Sequence, residues 1–156
     1  MSFLLFPLAS HASNILGIAD AILCNPQTIS NLRTLEVDIT WDEGGFALSR
    51  LVDEIRRLSS HRGGEMALKN IVISLQAMNG CETMVEQGLN TLDEILFRRS
   101  FPHLERLHLV YTEERVMKNE EYGRLERWIK NAFPRLGKLS NFELGVTINS
   151  NESVFW

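Results

Sequence analysis

Apolar residues recur along this chain with two different periods, and the periods take turns. In "LRTLEVDI" (32–39), Leu35, Val37 and Ile39 alternate with Glu36 and Asp38. A period of two over this length predicts a strand with one face in a core and the other in water. The phrase returns as "LKNIVISL" at 68–75 and "LERLHLVY" at 104–111, and "LSNFELGVTI" begins a looser copy at Leu139. The first leucines stand 36, 36 and 35 residues apart. A fixed period of this size is the mark of a repeat architecture.

Between the phrases the period becomes that of a helix. "FALSRLVDEIRRL" places Leu48, Leu51, Val52, Ile55 and Leu58 on one face, and Asp53, Glu54, Arg56 and Arg57 on the other. "NEEYGRLERWIKNAF" carries the stripe Tyr122, Leu125, Ile129, Ala132, and Pro134 stops it. "SNILGIADAIL" offers Ile15, Ile18, Ala19 and Ile22 behind Ser13 as an N-cap. In 84–97, Leu89, Leu92, Ile95 and Leu96 form a stripe although Gly88 lowers helix propensity. The order is α-β-α-β-α-β-α-β. Strands joined through helices should be parallel, with right-handed crossovers.

The polar rows choose between two α/β architectures. A sheet covered on both faces has strands that read as continuous apolar runs. Here the outward set is Glu36, Asp38, Thr40; Val72, Ser74, Gln76; His108, Val110, Thr112; and Glu143, Gly145, Thr147. Burying Glu36, Asp38 and Glu143 under helices would cost several kcal/mol each unless they were paired. The expectation is therefore a single domain over 1–156, a short right-handed solenoid of about four β-α layers. Its parallel sheet has helices on one face. The layers begin near Leu32, Leu68, Leu104 and Leu139, and residues 1–31 form an N-terminal cap layer that takes in the greasy stretch 3–8.

Composition narrows the partners. The net charge is −4, and the 12 Arg and 4 Lys never run beyond two in a row. This excludes the clustered basic footprint of a nucleic-acid binder. No apolar run reaches the ~20 residues that span a bilayer, and "MSFLLFPLAS" lacks the basic n-region of a signal peptide. Cys24 and Cys81 form no CxxC. They read as small buried residues of a reducing compartment, cytoplasmic or nuclear.

Candidate chemistry is sparse. His103 and His108 fall on opposite faces of a strand, and His11 and His61 are isolated, so no metal site is expected. Ser74, His108 and Asp38 invite a triad, but an open sheet offers no water-excluded pocket, so no catalytic residue is expected. "DEGGF" (42–46) and "HRGGE" (61–65) match no phosphate-binding loop and read as turns. No cofactor is implied. Trp41 ends the first strand and is an anchor candidate for a partner. Trp128 is expected to be half-buried and Trp156 to cover the last layer.

The phrase LxxLxLxL resembles leucine-rich repeats, with a longer period and without the Asn or Cys that ordinarily follows the strand. "SNLRTLEVDITW", "FPHLERLHLVY" and "AFPRLGKL" are similar to the repeat region of fungal F-box and leucine-rich-repeat proteins. The resemblance implies a partner- or substrate-recognition module. No F-box-like segment precedes Leu32, so a ubiquitin-ligase scaffold is implied only if an F-box is encoded upstream. The expected function is non-catalytic protein binding through the free sheet face: Glu36, Asp38, Thr40, Ser74, Gln76, His108, Thr112, Glu143 and Thr147. Acidic residues at both ends of that face suggest a mildly basic protein partner. The alternative is a small enzyme or ligand-binding protein with a site at the strand carboxyl ends, where Thr40, Trp41, Asp42, Gln76, Thr112, Glu113 and Glu114 gather.

Overall fold

A computed structural model describes residues 17–39, 46–61, 66–76, 82–97, 101–113 and 115–150, and the backbone alone of 2–7. Five strands, β1 (Ser2–Pro7), β2 (Leu32–Ile39), β3 (Asn70–Gln76), β4 (Arg106–Glu113) and β5 (Glu143–Ser150), form one sheet. Every pair is parallel, and the strands lie side by side in chain order. The helices are α1 (Ile18–Leu23), α2 (Pro26–Asn31), α3 (Phe46–Ser59), α4 (Glu82–Phe97) and α5 (Asn119–Asn131). The greasy stretch near the start is strand β1, paired with β2 through Pro7 opposite Asp38. Pro7 fits there because an edge strand tolerates a missing N–H.

The alternation in the three clear phrases is the alternation of burial. Leu35, Val37, Ile71, Ile73, Leu107 and Leu109 are wholly buried, and they pack with Ile22, Leu51, Ile55, Leu89, Leu92 and Ile129 of the helices into one core. Each such side chain, removed from water, contributes about 1.5–3 kcal/mol. The odd-numbered rows meet the helices. The described residues of the other row are half-buried or exposed.

Register holds at 36 residues across β2, β3 and β4, with Glu36 opposite Val72 and Val72 opposite His108. It then changes. His108 lies opposite Gly145, and Glu143 lies opposite Arg106. The repeat into β5 is therefore two residues longer than the spacing of the leucines suggested. A 3-10 turn, Leu136–Lys138, takes up chain before the strand. In it Leu136 is buried at 1%, while Leu139 is 42% exposed although Leu32 and Leu68 are buried at 1%. Counted by this register, the position of Leu104 falls at Asn141, so Leu139 does not lead the fourth phrase.

Three other expectations need correction. The first helical segment is not one helix from Ser13. Gly17 adopts φ 112°, α1 runs for six residues, and a second short helix, α2, follows. Ser13 and Ile15 lie outside the described residues. The signal for α2 was present in Asn25-Pro26: the Asn25 side chain accepts the Gln27 N–H at 3.0 Å, and proline fills the first helical position. Cys24 is exposed rather than buried, because it follows the last turn of α1; Cys81 lies outside the described residues.

Glu54, placed by periodicity on the polar face of α3, is only 3% exposed. Its carboxylate accepts the Ala19 N–H at 2.7 Å and an Arg57 N–H at 3.2 Å. It therefore satisfies a donor left over at the start of α1. Asp93 on α4, 2% exposed, does the same for the 3-10 turn, accepting the Leu136 N–H at 2.9 Å and the Arg135 N–H at 3.2 Å. Gly88 lowers the helix propensity of α4 but lets α4 approach α3. A methyl there would meet Leu48 Cδ2 at 2.7 Å.

Candidate functional site

Strand alternation carries the polar row of the sheet onto its open side. Of the residues read as a binding surface, Glu36 and Asp38 lie on β2, Ser74 and Gln76 on β3, His108 and Thr112 on β4, and Glu143 and Thr147 on β5. Asp38 is opposite Ser74, and Gln76 is opposite Thr112. Thr40 and Trp41 lie outside the described residues, as do Asp42, Glu114, Trp156, His11 and the glycine pairs of both turn motifs.

Much of this row is bonded across strands. Arg106 donates to Glu143 Oε2 through Nε at 3.0 Å and through Nη2 at 2.7 Å. His108 Nε2 lies 2.8 Å from Thr147 Oγ1. Asn70 Nδ2 donates to Thr34 Oγ1 at 3.2 Å, and Lys69 Nζ to Glu105 Oε1 at 3.1 Å. These are pairs of the kind that stabilise neighbouring strands by about 0.2–1 kcal/mol each. Sequence reading missed Thr34, Asn70 and Arg106, although each is simply the preceding outward position of its own strand. With Arg106 against it, Glu143 no longer makes the far end acidic. Glu36 and Asp38 are the two carboxylates of the outward row on β2.

The His108 ring leans toward β5, over Gly145, where an added methyl would meet Nδ1 at 2.6 Å. It leans away from β3, so Ser74 and His108 are not brought together. Ser74 lies opposite Asp38 on one side and Val110 on the other. Among the described residues no group of three or more His, Cys, Asp or Glu side chains is placed to hold a metal ion. No described helix is long and apolar enough to cross a membrane.

A cleft of about 340 Å³ lies at the carboxyl end of β4, between that strand end and α5. Tyr111, Met117, Leu125 and Trp128 supply its apolar lining. Tyr111 and Trp128 meet edge to face, with ring centres 6.4 Å apart, and Trp128 is half-buried as its helical position predicts. Burial pushes the Tyr111 hydroxyl up to about 12, with the charges of Glu113 and Glu82 adding to the effect. Glu121 is held below the usual carboxylate range because its Oε2 accepts the Lys118 backbone N–H, at 2.7 Å, and its Oε1 an Arg115 N–H, at 2.9 Å. Glu113, one of the strand-end residues singled out by sequence, lines this cleft; Thr112 and Gln76 do not. No protein-family model, curated protein or solved structure matches the chain.

Proposed function

We propose that this chain is a short leucine-rich-repeat-like solenoid that binds another protein through the open face of its sheet. The observation that carries the reading is the strand order. Five parallel strands follow one another without a reversal, and in β2, β3 and β4 one side chain in two reaches the helix-covered core. Each repeat then buries its inner row against its neighbours and leaves the outer row available. A doubly wound sheet places its ligand where the strand order reverses, and this sheet has no such point among its described strands. Glu36 and Asp38 make the β2 end the acidic end, so the partner is mildly basic there. The likeness to fungal F-box proteins extends the reading to substrate choice for a ubiquitin ligase only where an F-box is encoded upstream.

The test compares two double substitutions, which change the charge by +4 and +3. E36K/D38K alters the open face; E86K/Q87K alters exposed positions of α4. Proteins captured by the immobilised chain are identified for each variant and for the unchanged chain. A partner lost with E36K/D38K and kept with E86K/Q87K is the expected result, because like charges across an interface cost several kcal/mol. An identical partner set for both variants, or loss confined to E86K/Q87K, removes the open face as the binding surface.

A further inference from the structure

The two ends of the sheet are built differently. β5 is last in the strand order and pairs on one side only, with β4. In a parallel ladder the N–H and C=O of one residue turn to the same neighbour, and those of the next residue turn the other way. The Glu143 N–H donates to the Glu105 carbonyl at 2.8 Å, so the odd-numbered residues of β5 face β4. The N–H and C=O groups of Leu144, Val146 and Ile148 therefore point off the sheet. Among the described residues no strand lies there to receive them. Their side chains are also less covered. Leu144 and Val146 are half-buried, whereas Leu107 and Leu109, opposite them on β4, are wholly buried. Folded proteins blunt open edges with proline, charge or a bulge. The other edge strand, β1, has Pro7 and a register shift between Ser2 and Phe3. β5 has no proline and an unbroken register, and its one charged residue, Glu143, is paired with Arg106.

We propose that β5 is a pairing edge for a second copy of this chain, joined antiparallel about a two-fold axis through Val146. The strand's own sequence selects a copy as the occupant. Leu144-Gly145-Val146-Thr147-Ile148 runs large apolar, small, Val, small, large apolar from either end. About that axis Val146 faces the partner's Val146 and Leu144 faces the partner's Ile148. Every backbone group turned off the edge then meets another of the same set, donor to acceptor. A register shifted by one residue would set these groups against residues that point back to β4. On the open face Glu143 falls opposite Asn149 and Gly145 opposite Thr147, so no like charges oppose one another. An axis normal to the sheet keeps the helices of both copies on one side and lets the half-buried inner rows meet across the seam. Such an interface is isologous and closes at two copies, whereas β5 set against a second chain's β1 would continue into a filament. The seam is made of backbone and inner row and not of the charged outward positions, so this proposal and the sheet-face reading can fail separately.

Sedimentation equilibrium of the unaltered chain should show monomer and dimer in exchange, half dimeric at or below about 100 μM. Amide exchange, read residue by residue by NMR in dilute and concentrated samples, locates the seam. Protection at Leu144, Val146 and Ile148 should rise at least about threefold with concentration, while Gly145 and Thr147, already bonded to β4, stay as they are. Val146→Lys sets two like charges face to face on the axis and should weaken dimerisation at least about tenfold. A chain that stays monomeric up to about 100 μM, that grows beyond a dimer, or that dimerises with those three amides still unprotected overturns the proposal. So does a V146K chain that dimerises as tightly as the unaltered one. Should V146K fail to fold, the exchange pattern of the unaltered chain decides alone.

Discussion

Glu54 and Asp93, on the helix side of the sheet, are 3% and 2% exposed, whereas Asp38 and Glu143, on the open side, reach water. The same functional group serves two ends. On the helix side each carboxylate accepts backbone N–H groups from a segment distant in sequence: Ala19 for Glu54, Arg135 and Leu136 for Asp93. There the acid is a clamp between layers, and its charge is offset by donors that would otherwise lack partners. On the open side Glu143 pairs with the exposed side chain of Arg106, so water screens the pair. Two glycines repeat the contrast. A methyl at Gly88 would strike Leu48 at 2.7 Å, and one at Gly145 would strike His108 at 2.6 Å. Leu48 is held in the core at 1% exposure and has nowhere to go. The His108 ring is half-exposed and can swing into solvent. What a group costs or contributes here depends on which side of the sheet it occupies, more than on what it is.

The contrast breaks most readily at Asp93. Asp93→Ala leaves two backbone N–H groups unpaired, and it should lower stability by about 2–3 kcal/mol. Asp38→Ala should stay within about 0.5 kcal/mol. Urea unfolding of both variants measures the difference, and equal losses would mean that the two sides are not distinct.

A smaller effect is expected at the glycines. Gly88→Ala gains helix propensity worth about 1 kcal/mol but overpacks the α3–α4 contact by about 1–3 kcal/mol. The net result should be a loss of about 1 kcal/mol. Gly145→Ala should be neutral or slightly stabilising, because a strand interior disfavours glycine. Thermal midpoints for the pair check the sign of each.

The alkaline limb sharpens the comparison at Tyr111, which is buried on the helix side. Its pKa is raised from 10.0 to about 12, so the folded state holds a proton that the unfolded state releases first. This contribution is whole below pH 10 and is lost as the pH climbs through about 12. The stability of Tyr111→Phe should therefore fall less steeply across that window than that of the unchanged chain. Unfolding curves at successive pH values give both slopes.

The least effect belongs to the open side. Glu143→Gln should cost about 0.2–1 kcal/mol at low ionic strength, and the difference should fade as salt is added. A cost that persists at 1 M salt would show a pair less screened than its exposure implies.

Expectation and structure part where the repeat loosens. For β2, β3 and β4 the period of two and the 36-residue spacing were enough, because a one-residue slip would turn Leu35, Ile71 and Leu107 out into water. For β5 that constraint is weak. Leu144, Val146 and Ile148 are only half-buried, and Asn141 rather than a leucine stands at the leading position. The ion pair from Arg106 to Glu143 and the 3-10 turn before the strand accompany the register. The aromatic cleft also escaped sequence reading. Tyr111, Trp128 and Glu82 sit on three different elements, and Trp128 offered no more than a helix residue beside Ile129.

From Leu32 onward, local pattern determined the kinds of main element, their order and which side chains of the central strands face inward, since side-chain direction follows from backbone period. Only the folded chain decided that Glu54 and Asp93 go inside, that His108 turns from Ser74 toward Thr147, and that two rings and three carboxylates share one cleft. Those outcomes depend on which distant backbone donors and side chains arrive at the same place. No period within one segment records that.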